Sequence, residues 1–432
     1  HRDLHSFPTR RSSDLVLNFI RYSKENGRIP VVGVDFRNGI RCCYVVLAKN
    51  NDGFQEINAF LSKHNQEELP FPEKAPGFEH CWVIYPWGKE PRVLESHEFT
   101  GVAPHQLNRF RMHGSANSDR YVALAPMTFR NKRDFNTHRL LRAIDQNVLL
   151  SRLDPAEQTR PDELFSDRTE LLGAYEEFGF LVQRSEELLK TCSIEFDFAP
   201  QATSQNLAFY TGSRENDLAL MRSLCEKGLA NRYDTPTPEI RERIGKEIRV
   251  IAEKNYITYF LVAWDIITYA KSKGYYYVGR GSGANSIVAY LLGITDVDPL
   301  ELDLYFERFI NLYRQNPPDF DMDFSWRDRD DVIRYMFERF DNTALICTYN
   351  TFQYRATVRE LGKVFGLPKT DIDLLSGDKS RLHPKDRIQE LVLQYSELIA
   401  GLPSHLSVHA GGIIISEKPI HYFTATFLTS KG

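Results

Sequence analysis

Between Pro317 and Phe324 the chain reads PPDFDMDF, three acids at every second position with apolar bulk between them. Successive side chains leave a strand on opposite faces. The alternation therefore predicts a β-strand with Asp319, Asp321 and Asp323 on one face and Phe320, Met322 and Phe324 on the other. The apolar face belongs in a core. Cα atoms two apart on a strand lie roughly 6–7 Å from each other. That is close enough for neighbouring carboxylates to share one or two divalent ions, and too close for comfort without a cation. An exposed edge strand with solvated acids satisfies the same alternation, so the surrounding sequence has to decide.

Upstream, YYYVGRGSGANSIVAYLLG predicts a strand over Tyr275–Val278, a glycine-rich turn Gly279-Arg280-Gly281-Ser282-Gly283, and a helix from Asn285 to Leu292. Strand, glycine loop and helix make a phosphate-binding shape. Glycines let backbone N–H groups approach an anion, a helix start offers unpaired donors, and Arg280 and Ser282 add a full charge and a hydroxyl. Ordinary βα turns use glycine too, so the order of motifs carries more weight than the turn. A phosphate cradle followed by acids at alternate strand positions is the minimum equipment for nucleotidyl transfer, in which carboxylates hold Mg²⁺ against a triphosphate. Between the two, Arg308 and Arg314 either neutralise charge on phosphates or pair with Glu301 or Glu307.

After the acids, Arg327–Phe340 predicts an amphipathic helix with Val332, Ile333, Met336, Phe337 and Phe340 inward, and Thr343–Asn350 another strand, so the acids are expected in a mixed sheet. In TFQYRATVRELGKVFG, Arg355, Arg359 and Lys363 recur four apart, opposite Val358, Leu361 and Phe365. Such a basic stripe is either a solvated helix face or a track for a nucleic-acid backbone.

The 432 residues, 42% hydrophobic and 26% charged, predict an α/β multidomain protein of two or three packed units. A formal charge of −4 excludes a generally basic nucleic-acid coat but leaves room for a local basic channel. Cys42, Cys43, Cys81, Cys192, Cys225 and Cys347 show no C-x-x-C spacing, which argues against a zinc site and suits a reducing, cytoplasmic compartment. The best apolar stretch, Ile257–Ile267, is too short to cross a bilayer and is interrupted by Asp265, so no membrane partner is expected.

His5–Leu15, HSFPTRRSSDL, resembles the in-frame translation of a common short-read sequencing adapter, and residues 1–15 are left out of the fold expectations. The chain is expected to be a fragment, cut before Val16 and stopping in TATFLTSKG directly after a strand-like run. From Arg28, two β-branched runs flank Asn38-Gly39, a hairpin signal. Cys81–Trp87 and Arg120–Phe129 read as strands and Thr137–Asn147 as a helix, while the polar, proline-bearing stretch Ser151–Thr169 reads as a boundary. Thr237 is an N-cap with Pro238 at the first helical position, and Ile240, Ile244, Ile248 and Ile251 form one stripe. Ile257–Lys273 is apolar almost all round and ends at Gly274, which predicts a buried helix.

Together, YFLVAWDIITYAKSKG, VGRGSGANSIVAYLLGITDVDPLELDLYFERFINL, PPDFDMDF, RATVRELGKVFGLP and HAGGIIIS resemble the C-family DNA polymerases, the bacterial polymerase III alpha subunits. These uncommon motifs occur in the family's order, and the resemblance extends with decreasing strength from about Arg28 to the end. It implies a degenerate PHP (phosphoesterase-like) domain over 16–150, linking helices over 151–204, and a palm of the polymerase-beta nucleotidyltransferase type over 205–350. A helical thumb over 351–405 and a returning palm segment over 406–432 complete the expected order. It implies that Asp321 and Asp323 bind two catalytic Mg²⁺ ions while Asp319 is structural. Gly279, Arg280, Gly281 and Ser282 then hold the triphosphate, with Arg308 a nucleotide-side arginine. Arg355, Arg359 and Lys363 are assigned to DNA. The implied partners are primer–template DNA, deoxynucleoside triphosphates, the sliding clamp and other replisome subunits. Two departures stand out. The family's third catalytic aspartate lies in a K-F-D motif beyond HAGG, which the sequence does not reach. The early H-x-H of the PHP metal site is absent, and Pro126-Met127-Thr128 stands where relatives carry Asp-x-His or Asp-x-Arg, so His138 is expected to pack a helix rather than bind metal. His409 and the glycines after it make either a tight turn, the preferred reading, or a close approach to the site. A nucleotidyltransferase with another acceptor and a catalytically dead nucleic-acid-binding protein are the competing functions.

Overall fold

The computed structural model describes residues 13–113, 119–199, 205–310, 320–377 and 384–428. It is a mixed α/β chain in two compact units: His1–Ala202 with Ile346–Gly411 and Ile420–Gly432, and Thr203–Leu345 with Gly412–Pro419.

The first unit is built on a five-stranded sheet in the order β1 (Gly33–Asn38), β2 (Arg41–Ala48), β3 (Cys81–Pro86), β4 (Glu98–Val102), β5 (Tyr121–Ala123). The first three strands run antiparallel and the last two pairings are parallel. The expected hairpin forms, with Asn38 opposite Arg41. The helix preceding the sheet, α1 (Ser13–Glu25), buries Ile20, and α2 (Asn51–Glu67) lays Phe54, Ile57 and Leu61 against Phe36, Tyr44, Val46 and Val83. The Asn50 side chain caps α2 by accepting the Gly53 N–H at 3.0 Å.

At the β5 end, α3 (Leu107–His113), α5 (Arg168–Ala174) and α6 (Gly179–Lys190) flank a second cluster of Val102, Leu107, Phe110, Tyr175 and Leu181. Between α3 and α5 in sequence, α4 (Lys132–Gln146) starts five residues before the predicted Thr137, because Asn131 caps the Arg133 and Asp134 N–H groups. Leu140 and Ala143 of α4 share one core with Val358, Leu361 and Val364 of α12 (Tyr354–Phe365) and Val392 and Ile399 of α14 (Arg387–Ile399). The short α13 (Lys369–Leu375) lies between those two in sequence. Residues 351–405, expected as a separate helical domain, thus fall in the same compact unit as the sheet.

The second unit is mostly helical. Helices α7 (Arg214–Arg232), α8 (Pro238–Glu253), α9 (Ile257–Ser272) and α10 (Ile287–Leu291) enclose a core of Met221, Leu229, Ile251, Phe260, Ile287 and Phe309. Thr237 and Pro238 open α8 as predicted. Asp265, which breaks the apolar run of α9, is buried yet satisfied: it accepts from Tyr335 Oη at 2.6 Å, Tyr210 Oη at 2.8 Å and Arg339 Nε at 3.0 Å. Tyr335 and Arg339 belong to α11 (Arg329–Arg339), whose Val332 and Met336 are buried; Phe337, expected inward, is exposed.

The strand expectations shift in detail. The strand predicted at Tyr275–Val278 is β6 (Tyr277–Arg280), and among the described residues it pairs only with β7 (Asp321–Phe324). The long strands β8 (Thr343–Thr351) and β9 (Pro403–Ile415) form their own ribbon, so the acids lie in a two-stranded ribbon and not in the expected mixed sheet. Ser416 N–H bonds to Asn342 O and Phe352 N–H to Leu402 O, so β8 and β9 run antiparallel. His409, Gly411 and Gly412 sit inside β9; the preferred tight turn is therefore not formed. All six cysteines are free thiols, and among the described residues no helix is long and apolar enough to cross a membrane.

His138 packs its ring on Phe129, centroids 5.3 Å apart, and its Nε2 accepts the Thr159 N–H at 3.2 Å. Burial, reinforced by Arg142 and Arg37, pushes its pKa from 6.5 down to about 4. The unfolded imidazole takes a proton that the native one resists, so the native advantage is complete above the unfolded value and is lost as pH falls towards the folded one. Unfolding free energy should drop by up to about 3 kcal/mol between pH 7 and pH 4 from this group alone. Urea titrations at the two pH values should show a smaller drop in His138→Gln.

Candidate active site

The site starts from the register of β6 on β7: Tyr277 faces Phe324, Val278 faces Asp323, Gly279 faces Met322 and Arg280 faces Asp321. One face of the ribbon carries Arg280, Val278, Asp321 and Asp323, all exposed, and the other carries Tyr277, Met322 and Phe324. Phe320, just before β7, stacks on Tyr259 with centroids 5.1 Å apart and meets Phe260 edge-on at 5.0 Å, while its N–H bonds to Tyr259 Oη at 2.9 Å. Met322 and Phe324 pack towards Ile266, Val332 and Met336. The apolar side thus anchors the strand to α9 and α11, and the acids point to solvent.

Glycines let the loop reach the acids. A Cβ on Gly279 would lie 1.9 Å from Ile294 O, and one on Gly283 would lie 2.7 Å from the Phe320 ring. Gly281 has φ +85°, and its Cβ would come within 3.0 Å of Asp321 Oδ2. Residues Gly281–Asn285 form a 3₁₀ turn, with Asn285 Nδ2 donating to Ser282 O at 2.9 Å and Ser282 half-buried.

Two of the donors expected at the following helix start are already engaged. Ser286 caps α10 by accepting the Ala289 N–H at 3.1 Å, and Val288 N–H donates to Glu247 Oε2 at 3.3 Å. Glu247, on α8, is fully buried and also accepts from Ser286 Oγ at 2.8 Å and Arg243 Nε at 2.7 Å. Arg243 in turn donates to Asn285 O at 3.3 Å and Leu304 O at 3.1 Å. Burial raises the Glu247 carboxyl pKa, while the Arg243 and Ser286 hydrogen bonds pull it down. This buried pair fixes the loop from beneath and escaped the sequence reading. Its signal was Glu247 standing seven residues after Ile240, on the apolar stripe.

The electrostatics at the surface centre on Arg280. Its guanidinium is hydrogen-bonded to Asp323 through Nε, with a second contact of 3.4 Å, and lies 3.8 Å from Asp321 Oδ2. The Asp323 hydrogen bond, then the charges of Asp323 and Asp321, hold the Arg280 pKa above its usual value.

Arg308 ends a short 3₁₀ turn and is exposed; Glu307 beside it pairs with Lys246 at 2.5 Å, and Arg308 has no ion pair among the described residues. Asp319 and Arg314 lie outside the described residues. Arg355, Arg359 and Lys363 are exposed on α12, in the first unit, where Asp373 meets Arg359 at 3.4 Å and Glu360 meets Lys363 at 2.7 Å. His409 is exposed, and its Nδ1 accepts the Gly411 N–H at 3.3 Å. Another set of ligand-type groups, Glu56, Glu79 and His80, was not foreseen from sequence; both Glu56 oxygens already accept backbone N–H groups of Glu79 and His80.

Asp321 and Asp323 fit a small divalent cation. They are hard oxygen donors on one open face, with a glycine backbone held close to one of them, and Mg²⁺ is bound by one or two carboxylates together with substrate phosphates. The family described as the bacterial DNA polymerase III alpha NTPase domain matches residues 219–432, the stretch that contains β6, the loop and β7. Residues 219–432 belong to the bacterial DNA polymerase III alpha family. The chain is similar to an error-prone DNA polymerase of Symbiobacterium thermophilum, 33% identical over 364 residues, covering 78% of this chain and 33% of the relative. It is also similar to a DNA polymerase III subunit alpha of Halalkalibacterium halodurans, 32% identical over 312 residues and covering 67% of this chain and 27% of that protein. An error-prone DNA polymerase of Ruegeria pomeroyi is 39% identical over 220 residues, 47% of this chain and 20% of the relative. The chain thus spans a third or less of the length of these relatives.

Breaking a buried ion pair by removing one partner costs about 3–5 kcal/mol. Glu247→Ala should lower the unfolding free energy by that order, whereas Lys246→Ala, which loses only an exposed pair, should cost less than about 1 kcal/mol. Denaturant titration monitored by far-UV circular dichroism distinguishes the two.

Proposed function

We propose that the chain carries the nucleotide-handling part of a template-directed DNA polymerase, adding deoxynucleotides to a primer 3′ end. The observation that supports this most directly is the pairing of β6 with β7, which brings the Gly279–Ser282 loop and the Asp321–Asp323 carboxylates to one exposed ribbon face inside the stretch matching the family. In this reading the second unit corresponds to the palm, residues 351–405 to the thumb, and the five-stranded sheet to a PHP remnant without its metal-dependent activity.

Asp321 and Asp323 would hold two Mg²⁺ ions, which when bound neutralise the triphosphate and activate the primer hydroxyl for in-line attack on the α-phosphate. Arg280 and the loop N–H groups of Gly281 and Ser282 orient the β- and γ-phosphates, and Arg308 adds charge on the nucleotide side. Because the Val288 and Ala289 N–H groups at the start of α10 are already taken by Glu247 and Ser286, phosphate binding rests on the loop and on Arg280. Primer–template DNA would be held in part by Arg355, with Arg359 and Lys363 moderated by Asp373 and Glu360. Clamp and other replisome contacts, and a cytoplasmic setting, follow from the same reading.

Mg²⁺-dependent primer extension by the full-length gene product tests it. Asp321→Asn and Asp323→Asn should each reduce extension on the order of a hundredfold or more while primer–template binding, measured by fluorescence anisotropy, stays at the parent level. Equal extension by mutant and parent would remove the two acids from the mechanism. Untemplated addition would point to a different acceptor, and binding without any extension would leave a catalytically dead DNA-binding protein.

A further inference from the structure

We propose that Arg280 is an internal counterion of the Asp321–Asp323 pair, displaced from it when a divalent cation binds and handed over to the triphosphate. The proposal rests on the nucleotidyl-transfer reading for the identity of the anion, but its first step concerns only three side chains described here.

The strand register fixes those three together. Arg280 is the cross-strand partner of Asp321, and its side chain extends along the ribbon to Asp323, so one guanidinium contacts both carboxylates. The oxygens it contacts are the ones a cation would coordinate, so the two charges compete for one place. Two carboxylates this close repel each other, and a single positive charge compensates only half of their charge, which leaves the pair attractive to a divalent ion. The contact is also easy to break: the side chains of Arg280, Asp321 and Asp323 are 61%, 49% and 54% exposed, and exposed ion pairs of this kind contribute little to stability. Apart from the 3.8 Å contact with Asp321, the guanidinium is held only by its bonds to Asp323, the only side-chain hydrogen bonds of Arg280 among the described residues.

Once displaced, the guanidinium stands at the start of the glycine turn with its planar fork of donors free, the geometry suited to two phosphate oxygens. Cation and triphosphate binding are therefore coupled: each relieves Arg280 of the contact that opposes the other, and the coupling is reciprocal. Arg280 acts here as a positioning residue for the empty pair and as a ligand only when the triphosphate is present.

The test is a Mn²⁺ titration of the nucleotide-free chain at low ionic strength, with free Mn²⁺ read by electron paramagnetic resonance, for the parent, Arg280→Gln, Arg280→Lys and the double variant Asp321→Asn/Asp323→Asn. Removing a unit charge beside a divalent ion at an exposed site should tighten Mn²⁺ binding roughly three- to tenfold in Arg280→Gln. Arg280→Lys, which keeps the charge, should stay near the parent. Arg280→Gln binding Mn²⁺ as the parent does, or more weakly, overturns the counterion role while leaving the metal site intact. Mn²⁺ binding that is unchanged in the double variant overturns the metal site itself and the counterion with it. Unchanged circular dichroism and urea midpoints establish that each variant is folded.

Discussion

The pairing of β6 with β7 is the constraint on which the candidate site depends. A strand has two faces, and this register assigns them without overlap: Met322, Phe324 and Tyr277 inward, and Asp321, Asp323 and Arg280 outward. A slip of one residue would bury the carboxylates and expose the apolar anchors. The stacking of Phe320 on Tyr259 and the bond from its N–H to Tyr259 Oη hold the register at the entrance of β7. The charged face is thus a by-product of how well the other face packs.

The loop facing the acids is held by a different kind of interaction. The fully buried Glu247 and the half-buried Arg243 form a hydrogen-bonded ion pair that gathers Ser286, Val288, Asn285 and Leu304 onto α8. A buried ionic group is a weak source of net stability but a strict one of geometry, because any rearrangement would leave a charge unpaired in the core. Gly279 adds a steric limit, since its Cα lies too near Ile294 O for any side chain. The result is a packed frame beneath an exposed surface, with Arg280 paired to the two carboxylates at its edge.

Much of this was legible in the sequence. The two-residue alternation at 320–324, the hairpin at Asn38-Gly39, the cap at Thr237 and the buried helix 257–272 are local patterns, and each appears where the periodicity puts it. The assignment of the acids to one face was readable for the same reason. What was not readable depends on partners distant in sequence. The start of β6 moved by two residues because its pairing with Phe324, not its own aromatic content, sets where the ladder begins. The helix-start donors at α10 looked free because nothing near them announces Glu247, which arrives from 39 residues away. β8 and β9 pair with each other because their long complementary edges meet, which composition cannot reveal. His409 was read as part of a turn because two glycines follow it, whereas in a ribbon they are simply strand residues without side chains.

Arg280 and Asp323 are separated by 43 residues, and the intervening chain contains the glycine turn, α10 and the segment around Phe306 and Phe309. Bringing the two strands together closes a long loop, whose entropic cost precedes any gain from the ladder. Ile287, Val288, Phe306 and Phe309 of that loop share one core with α7, α8 and α9, so packing of the loop and pairing of the strands support each other. A chain that lost this core would lose the register of β6 on β7, and with it the contact between Arg280 and the two carboxylates.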